Sequence, residues 1–109
     1  MRDLGFIINK QLLIKNPKSN FSNLISGTSN YLRCVFKFDS DWNGFNKVAV
    51  FSVEGEKEIR DFPVLIENSK CMIPSEATNN KNGFTLKVYG QKNDQRIVTN
   101  DVLIEQEGE

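Results

Sequence analysis

The chain has 109 residues, 14 basic and 14 acidic side chains and no histidine, and 39% of its residues are hydrophobic. This length predicts one domain, over residues 1–109, that buries roughly two thirds of its unfolded surface. Zero net charge gives no basis for binding bulk nucleic acid or an anionic membrane. The sequence shows no membrane-spanning apolar run and no signal peptide, so Cys34 and Cys71 are expected to be reduced thiols in a cytosol.

Alternation of apolar and polar side chains predicts the first strands. Residues 5–15 are interpreted as a strand or a strand pair, with one face formed by Phe6, Ile8, Leu12 and Ile14. The polar residues 16–30 predict a long connecting loop, attached to the body of the domain by Phe21, Leu24 and Ile25. Residues 30–38 alternate again and predict the next strand.

The most informative stretch runs from residue 36 to residue 51. An aromatic strand is followed by Asp39-Ser40-Asp41, whose short polar side chains favour a turn. The only tryptophan, Trp42, lies in that turn, and a new strand is predicted over residues 47–53. We expect Trp42 to be buried near Phe36, Phe51 or both, because large aromatic residues flank the turn. The predicted structural core of this stretch is Phe36, Phe38, Trp42, Phe45 and Phe51.

The second half of the chain alternates between strands and turns. Pro63 cannot donate to a strand ladder, which predicts an edge or a bulge in the strand over residues 59–66. The remaining predicted segments are a hairpin turn at 54–57, a turn at 67–70, a strand at 71–73, a polar loop with room for a helical turn at 75–83, a strand at 84–89, a turn at 90–95, a strand at 96–105 broken at Asn100-Asp101, and a frayed tail at 106–109.

Seven to eight short strands predict an all-β fold, a single-domain antiparallel β-sandwich of immunoglobulin-like architecture. The spacing of Cys34, Trp42 and Cys71 differs from that of an antibody domain, so no antibody-type disulfide is expected.

The sequence offers little basis for catalysis or metal binding. Without histidine the chain lacks the usual general base and the commonest metal ligand. Asp39-x-Asp41-x-Asn43-Gly44 matches the start of a calcium loop, but Val50 stands where the bidentate glutamate is needed. We therefore expect no enzyme, no metal and no cofactor, and we interpret the aspartates as turn residues.

Two predicted strand faces carry side chains suited to binding. Arginine, lysine and tyrosine on one face can hold a phosphate or stack on a base, and they are equally common in subunit interfaces. A plain solvated face is the third interpretation. The candidate binding residues are Tyr31, Arg33 and Lys37 on one face, and Lys87, Tyr89, Arg96 and Asn100 on the other.

Charge is distributed unevenly along the chain. Residues 1–50 hold seven basic and three acidic side chains, a balance of +4, and residues 51–109 hold seven basic and eleven acidic ones, a balance of −4. The two halves either mix into one solvated surface or form complementary patches for head-to-tail self-assembly.

Five ordered landmarks lie between about residues 31 and 104. They are Asp41-Trp42-Asn43-Gly44-Phe45, Lys47-Val48-Ala49-Val50-Phe51, Cys71-Met72-Ile73-Pro74, Val88-Tyr89-Gly90 and Arg96-Ile97-Val98-Thr99-Asn100. With these landmarks the chain resembles a family of small β-sandwich domains from phages and prophages of Gram-positive bacteria, similar to the N-terminal domain of baseplate upper proteins.

The resemblance implies a non-enzymatic virion or tail-baseplate structural module that is made in the host bacterial cytoplasm. Its expected partners are further copies of itself, as a homo-oligomer, and other virion proteins. No coiled coil or fibre segment follows residue 104. A second hypothesis is therefore a free-standing anti-defence protein that sequesters a nucleotide immune signal or blocks a host defence protein.

Overall fold

Short alternating segments separated by turn residues form nine strands within residues 1–108, the part of the chain that the computed structural model describes. Single helical turns occur at Ser40–Trp42, a 3-10 helix, and at Ser75–Thr78, helix α1. The strands are β1 (Arg2–Asn9), β2 (Leu12–Lys15), β3 (Leu32–Phe38), β4 (Asn46–Glu54), β5 (Ile59–Ile66), β6 (Lys70–Met72), β7 (Phe84–Lys92), β8 (Gln95–Val98) and β9 (Val102–Ile104).

The strands form two sheets that bury a shared core. Sheet 1 has the order β2-β1-β3-β6, and sheet 2 has the order β5-β4-β7-β8, with β9 also paired to β7. The predicted all-β sandwich is confirmed. Nine strands form in residues 1–108 instead of seven or eight. The segments predicted over residues 5–15 and 96–105 each form two strands.

One strand pair departs from the predicted antiparallel arrangement. Strand β1 pairs in parallel with β3, with Arg2 opposite Leu32 and Ile8 opposite Phe38. Parallel neighbours need a long crossover connection. Here β2 and the loop that follows it supply the crossover, and residues 16–31 contain no strand.

The face predicted for residues 5–15 is wrong beyond Asn9. The chain reverses in a two-residue turn, where Lys10 has a φ of 57°, so that Asn9 lies opposite Leu12 and Ile8 opposite Leu13. Residues directly opposite each other share a sheet face. The hairpin therefore buries Leu13 with Ile8 and leaves Leu12 and Ile14 exposed, since the parity of the buried residues changes across the turn.

The core lies between the sheets and is almost entirely apolar. Cys34 and Cys71 lie opposite each other on β3 and β6, both buried as free thiols. Burial and the neighbouring Cys71 raise the pKa of the Cys34 thiol well above its ordinary value. Other large buried side chains are Leu4, Phe6, Ile8, Leu13, Trp42, Phe51, Phe84, Leu86 and Ile104.

The loop over residues 16–30 and the C-terminal tail are attached to each other. Glu107 forms an isolated parallel bridge with Ile25, and its backbone N–H donates to the carbonyl of Leu24 at 2.7 Å. The side chain of Gln106 donates to the carbonyls of Thr78 and Asn80. The frayed tail predicted for residues 106–109 is therefore wrong for Gln106 and Glu107, and Glu109 lies outside the described residues. Within residues 1–108, no helix is long and apolar enough to span a membrane.

Candidate functional site

Trp42 and its neighbours in the sequence pack at one end of the sandwich. Trp42 is fully buried, and its indole Nε1–H donates to the carbonyl of Lys10 at 2.7 Å. Its ring lies 5.2 Å from that of Phe38 and 6.3 Å from that of Phe45, so the expected contacts with Phe36 or Phe51 are replaced by these two. Phe36 and Phe51 are buried, whereas Phe38 and Phe45 are only partly buried.

A strand glycine makes room for the tryptophan. A Cβ atom on Gly90 would lie 2.8 Å from Trp42 Cζ3 and 3.2 Å from a ring carbon of Phe45. Only glycine allows so close an approach of the backbone to a ring. The turn predicted at residues 90–95 is correspondingly wrong at its start, since β7 continues through Gly90 to Lys92 and reverses at Asn93, which has a φ of 54°.

Asp39 and Asp41 serve the same end of the sandwich. Asp39 Oδ2 accepts a hydrogen bond from the Lys10 backbone N–H at 2.9 Å, and Asp41 Oδ2 lies 3.1 Å from Lys10 Nζ. Both carboxylates thus contact the β1–β2 turn. In residues 1–108, no three side chains of the metal-ligating types come together.

Asn100, a predicted binding residue, is a structural connection between the sheets. Its Oδ1 accepts the Leu13 N–H at 2.7 Å, and its Nδ2 donates to the Leu13 carbonyl at 3.0 Å. The amide thereby satisfies both backbone groups of one residue on strand β2. Next to it, Thr99 fills the gap between β8 and β9, because its hydroxyl accepts the Val88 N–H and its own N–H donates to the Val88 carbonyl.

The other candidate binding residues lie on opposite sides of the molecule and form no single site. Arg33 and Lys37 point outward from sheet 1, and Tyr31 precedes the same strand. Arg33 is already engaged by Asp3 through two hydrogen bonds of 2.8 and 3.0 Å. This contact lowers the pKa of Asp3 and raises the pKa of Arg33.

On sheet 2, the outward residues line a shallow groove of about 470 Å³. Lys87 Nζ lies 3.5 Å from Asp101, and the Arg96 guanidinium lies 4.8 Å from the centre of the Tyr89 ring. Glu54 and Asp61 also line the groove. Because three carboxylates oppose one ammonium group there, the groove disfavours an anionic ligand.

Exposed apolar side chains surround this groove and were missed by the reasoning from sequence. Ile59 is 66% exposed, Leu65 is 65% exposed and Leu103 is 50% exposed. Val48 and Val50 lie between them on the same face. The sequence contains a signal for this exposed apolar face, because the segment Ile59–Ile66 carries apolar residues at both odd and even positions. A half-buried strand shows them on one parity only.

The sheet edges differ in how far they are covered, and the longest free edge is that of β5. Gly55 N–H donates to the Glu58 carbonyl, so odd-numbered residues of β5 turn their backbone groups to the free edge, and Pro63 offers no donor there. Asn100 occupies the edge of β2, and the Gln11 side chain donates to the Val98 carbonyl on β8. Strand β6 has only three residues.

No family model, curated protein or solved structure matches this chain.

Proposed function

We propose that the chain is a non-enzymatic structural module of a phage or prophage, in the virion or tail baseplate, that works through oligomerisation and protein–protein contacts. The observation that carries this proposal is the open outer face of sheet 2. Ile59 and Leu65 are about two thirds exposed there. Exposed apolar patches of this kind mark surfaces that meet another protein.

The resemblance to baseplate domains gives the proposal its biological setting. Its landmarks Trp42, Gly90, Thr99 and Asn100 all make intramolecular contacts at one end of the sandwich. These contacts give the landmark residues a structural role within the domain. The exposed side chains that would contact a partner lie elsewhere, on the sheet faces.

The experiment is to look for the chain in particles. Phage particles produced from a strain that encodes it are purified by density gradient and analysed by mass spectrometry, alongside the lysate from which they came. The proposal expects the chain in the particles at a stoichiometry similar to that of tail proteins. Its presence in the lysate together with its absence from the particles would overturn the structural role.

The second candidate, a free-standing anti-defence protein, is supported by a narrower observation. Arg96 stacks on Tyr89 beside Lys87, an arrangement that can hold a nucleobase and a phosphate. Asp101 pairs with Lys87, and Glu54 and Asp61 line the same groove, which weakens the case for a nucleotide. The test is heat release of an ultraviolet-absorbing ligand from purified protein, followed by thermal shift with cyclic and ADP-ribose-type nucleotides. No release and no shift would remove the nucleotide version.

A further inference from the structure

The two outer faces of the sandwich differ in charge. On sheet 1, Lys37 and Lys70 point outward beside the neutral Asp3–Arg33 pair, and neither lysine forms an ion pair within residues 1–108. This gives the face a balance of +2. On sheet 2, Glu54, Asp61 and Asp101 face Lys87 in the groove, which gives the groove a balance of −2. Arg96, stacked on Tyr89, lies outside the groove lining on the same face, so the face as a whole has a balance of −1.

Both faces also carry exposed apolar side chains around these charges. Leu12 is 56% exposed and Ile14 is 39% exposed on sheet 1, next to the half-buried Ile7. Ile59 and Leu65 are the counterparts on sheet 2. On each face the most exposed apolar residues lie on an edge strand, β2 in sheet 1 and β5 in sheet 2, beside charges of one prevailing sign. Opposite charge on two faces favours their pairing over the pairing of like faces.

We propose that the outer face of sheet 1 on one copy binds the outer face of sheet 2 on the next copy, so that the chain associates head to tail. The proposal rests on the proposed function only in that both treat the chain as a module for protein contacts. Pairing sheet 2 with itself would place acidic groove against acidic groove. Pairing the two different faces brings Lys37 and Lys70 against a groove with two surplus carboxylates, Glu54 and Asp61.

The smaller face limits the size of the contact. The four strands of sheet 1 hold 22 residues, which at about 3.3 Å by 4.8 Å per residue cover about 350 Å². A contact of that face buries about 700 Å² in total, the size of a weak, transient interface. We therefore expect association that depends on protein concentration and weakens as salt screens the charges. Because each copy keeps one free face of each kind, the oligomers grow beyond dimers.

The test uses one charge reversal on each face, Lys37→Glu on sheet 1 and Asp61→Lys on sheet 2, both at exposed positions. Lys18→Glu and Asp94→Lys are matched controls, since both residues are exposed and lie outside the strands. Circular dichroism and thermal unfolding first establish that all four variants are folded. Sedimentation or light scattering then measures average mass against concentration, up to about 1 mM, the weak end of specific affinities.

The expected result is an average mass for the wild type and both controls that rises above the 12.5 kDa of the monomer. Each face variant alone stays monomeric at concentrations where the wild type associates, and an equimolar mixture of the two face variants associates again. Restoration on mixing is the signature of a contact between two different faces.

Three results would overturn the proposal: a monomeric wild type at all concentrations, loss of association in only one of the two face variants, or no association in the mixture. The outcome is separate from that of the particle experiment. A chain found in virions but monomeric in solution would remove the head-to-tail contact and leave the structural role standing. Self-association by a chain that is absent from virions would remove the structural role and leave the head-to-tail contact standing.

Discussion

Large apolar side chains occur both at the Trp42 end of the sandwich and on the outer face of sheet 2, yet their surroundings differ completely. Trp42 is fully buried, with a hydrogen bond for its indole N–H and Gly90 against its ring. Leu65 and Ile59, of similar hydrophobic character, are 65% and 66% exposed. The difference shows that burial here depends on a complementary surface elsewhere in the chain, and that apolar residues without one remain exposed.

Removing the tryptophan should produce the largest effect. Trp42→Ala leaves a cavity among Phe38, Phe45 and Gly90 and removes the hydrogen-bond donor of the Lys10 carbonyl. We therefore expect a loss of about 3–5 kcal/mol in the free energy of unfolding. That approaches the whole stability of an ordinary domain. Chemical denaturation measures it, with Trp42→Phe as the milder control. An unchanged midpoint for the alanine variant, combined with lost partner binding, would make Trp42 a contact residue instead.

Adding one methyl group opposite the tryptophan should be the next largest change. Gly90→Ala forces a Cβ to within 2.8 Å of the Trp42 ring, and overpacking of this kind costs about 1–3 kcal/mol. In a double-mutant cycle, Trp42→Phe should relieve part of the cost, since the smaller ring leaves space. Full additivity of the two changes would show that the glycine is needed for another reason.

The amide connection between the sheets should matter less. Asn100→Ala removes both hydrogen bonds to Leu13, and we expect a loss of about 1–2 kcal/mol. Asn100→Asp is a matched control, because a carboxylate still accepts from the Leu13 N–H and can no longer donate to its carbonyl. The aspartate variant should fall between the wild type and alanine. Equal loss in both variants would place the whole effect in the donated bond.

The smallest effect is expected on the outer face of sheet 1. Arg33 hydrogen-bonds Asp3 and holds the pKa of that carboxyl below its ordinary value. A lowered pKa in the folded state stabilises the fold above the unfolded pKa of about 4, and the contribution is lost as pH falls through the folded pKa. An NMR titration of Asp3 should show the shift, and Arg33→Gln should return the pKa toward its ordinary value. A shift that survives this substitution would assign the cause to Lys70 and the N-terminus.

Much of the local structure is visible in the chain itself. Period-two alternation predicts the strands, Pro63 predicts an edge, and a tryptophan between aromatic strands predicts its own burial. These features depend on neighbours a few residues apart, for which backbone geometry is strongly restricted. The buried face of β2 was predicted wrongly because it depends on the exact length of a turn. The two-residue turn at Lys10 changes which residues of β2 face the core.

What the sequence alone determined is the class of the fold, since alternating strands with turn residues between them can bury their apolar faces only as packed sheets. Tertiary structure alone decided which strands are neighbours, and hence the parallel β1–β3 pair, the place of Gly90 against Trp42 and the bond from Asn100 to Leu13, 87 residues away. It also decided that Arg33 and Lys87 lie on opposite faces. The physical reason is that alternation assigns each residue to a side of its own strand and carries no information about which sheet that strand joins.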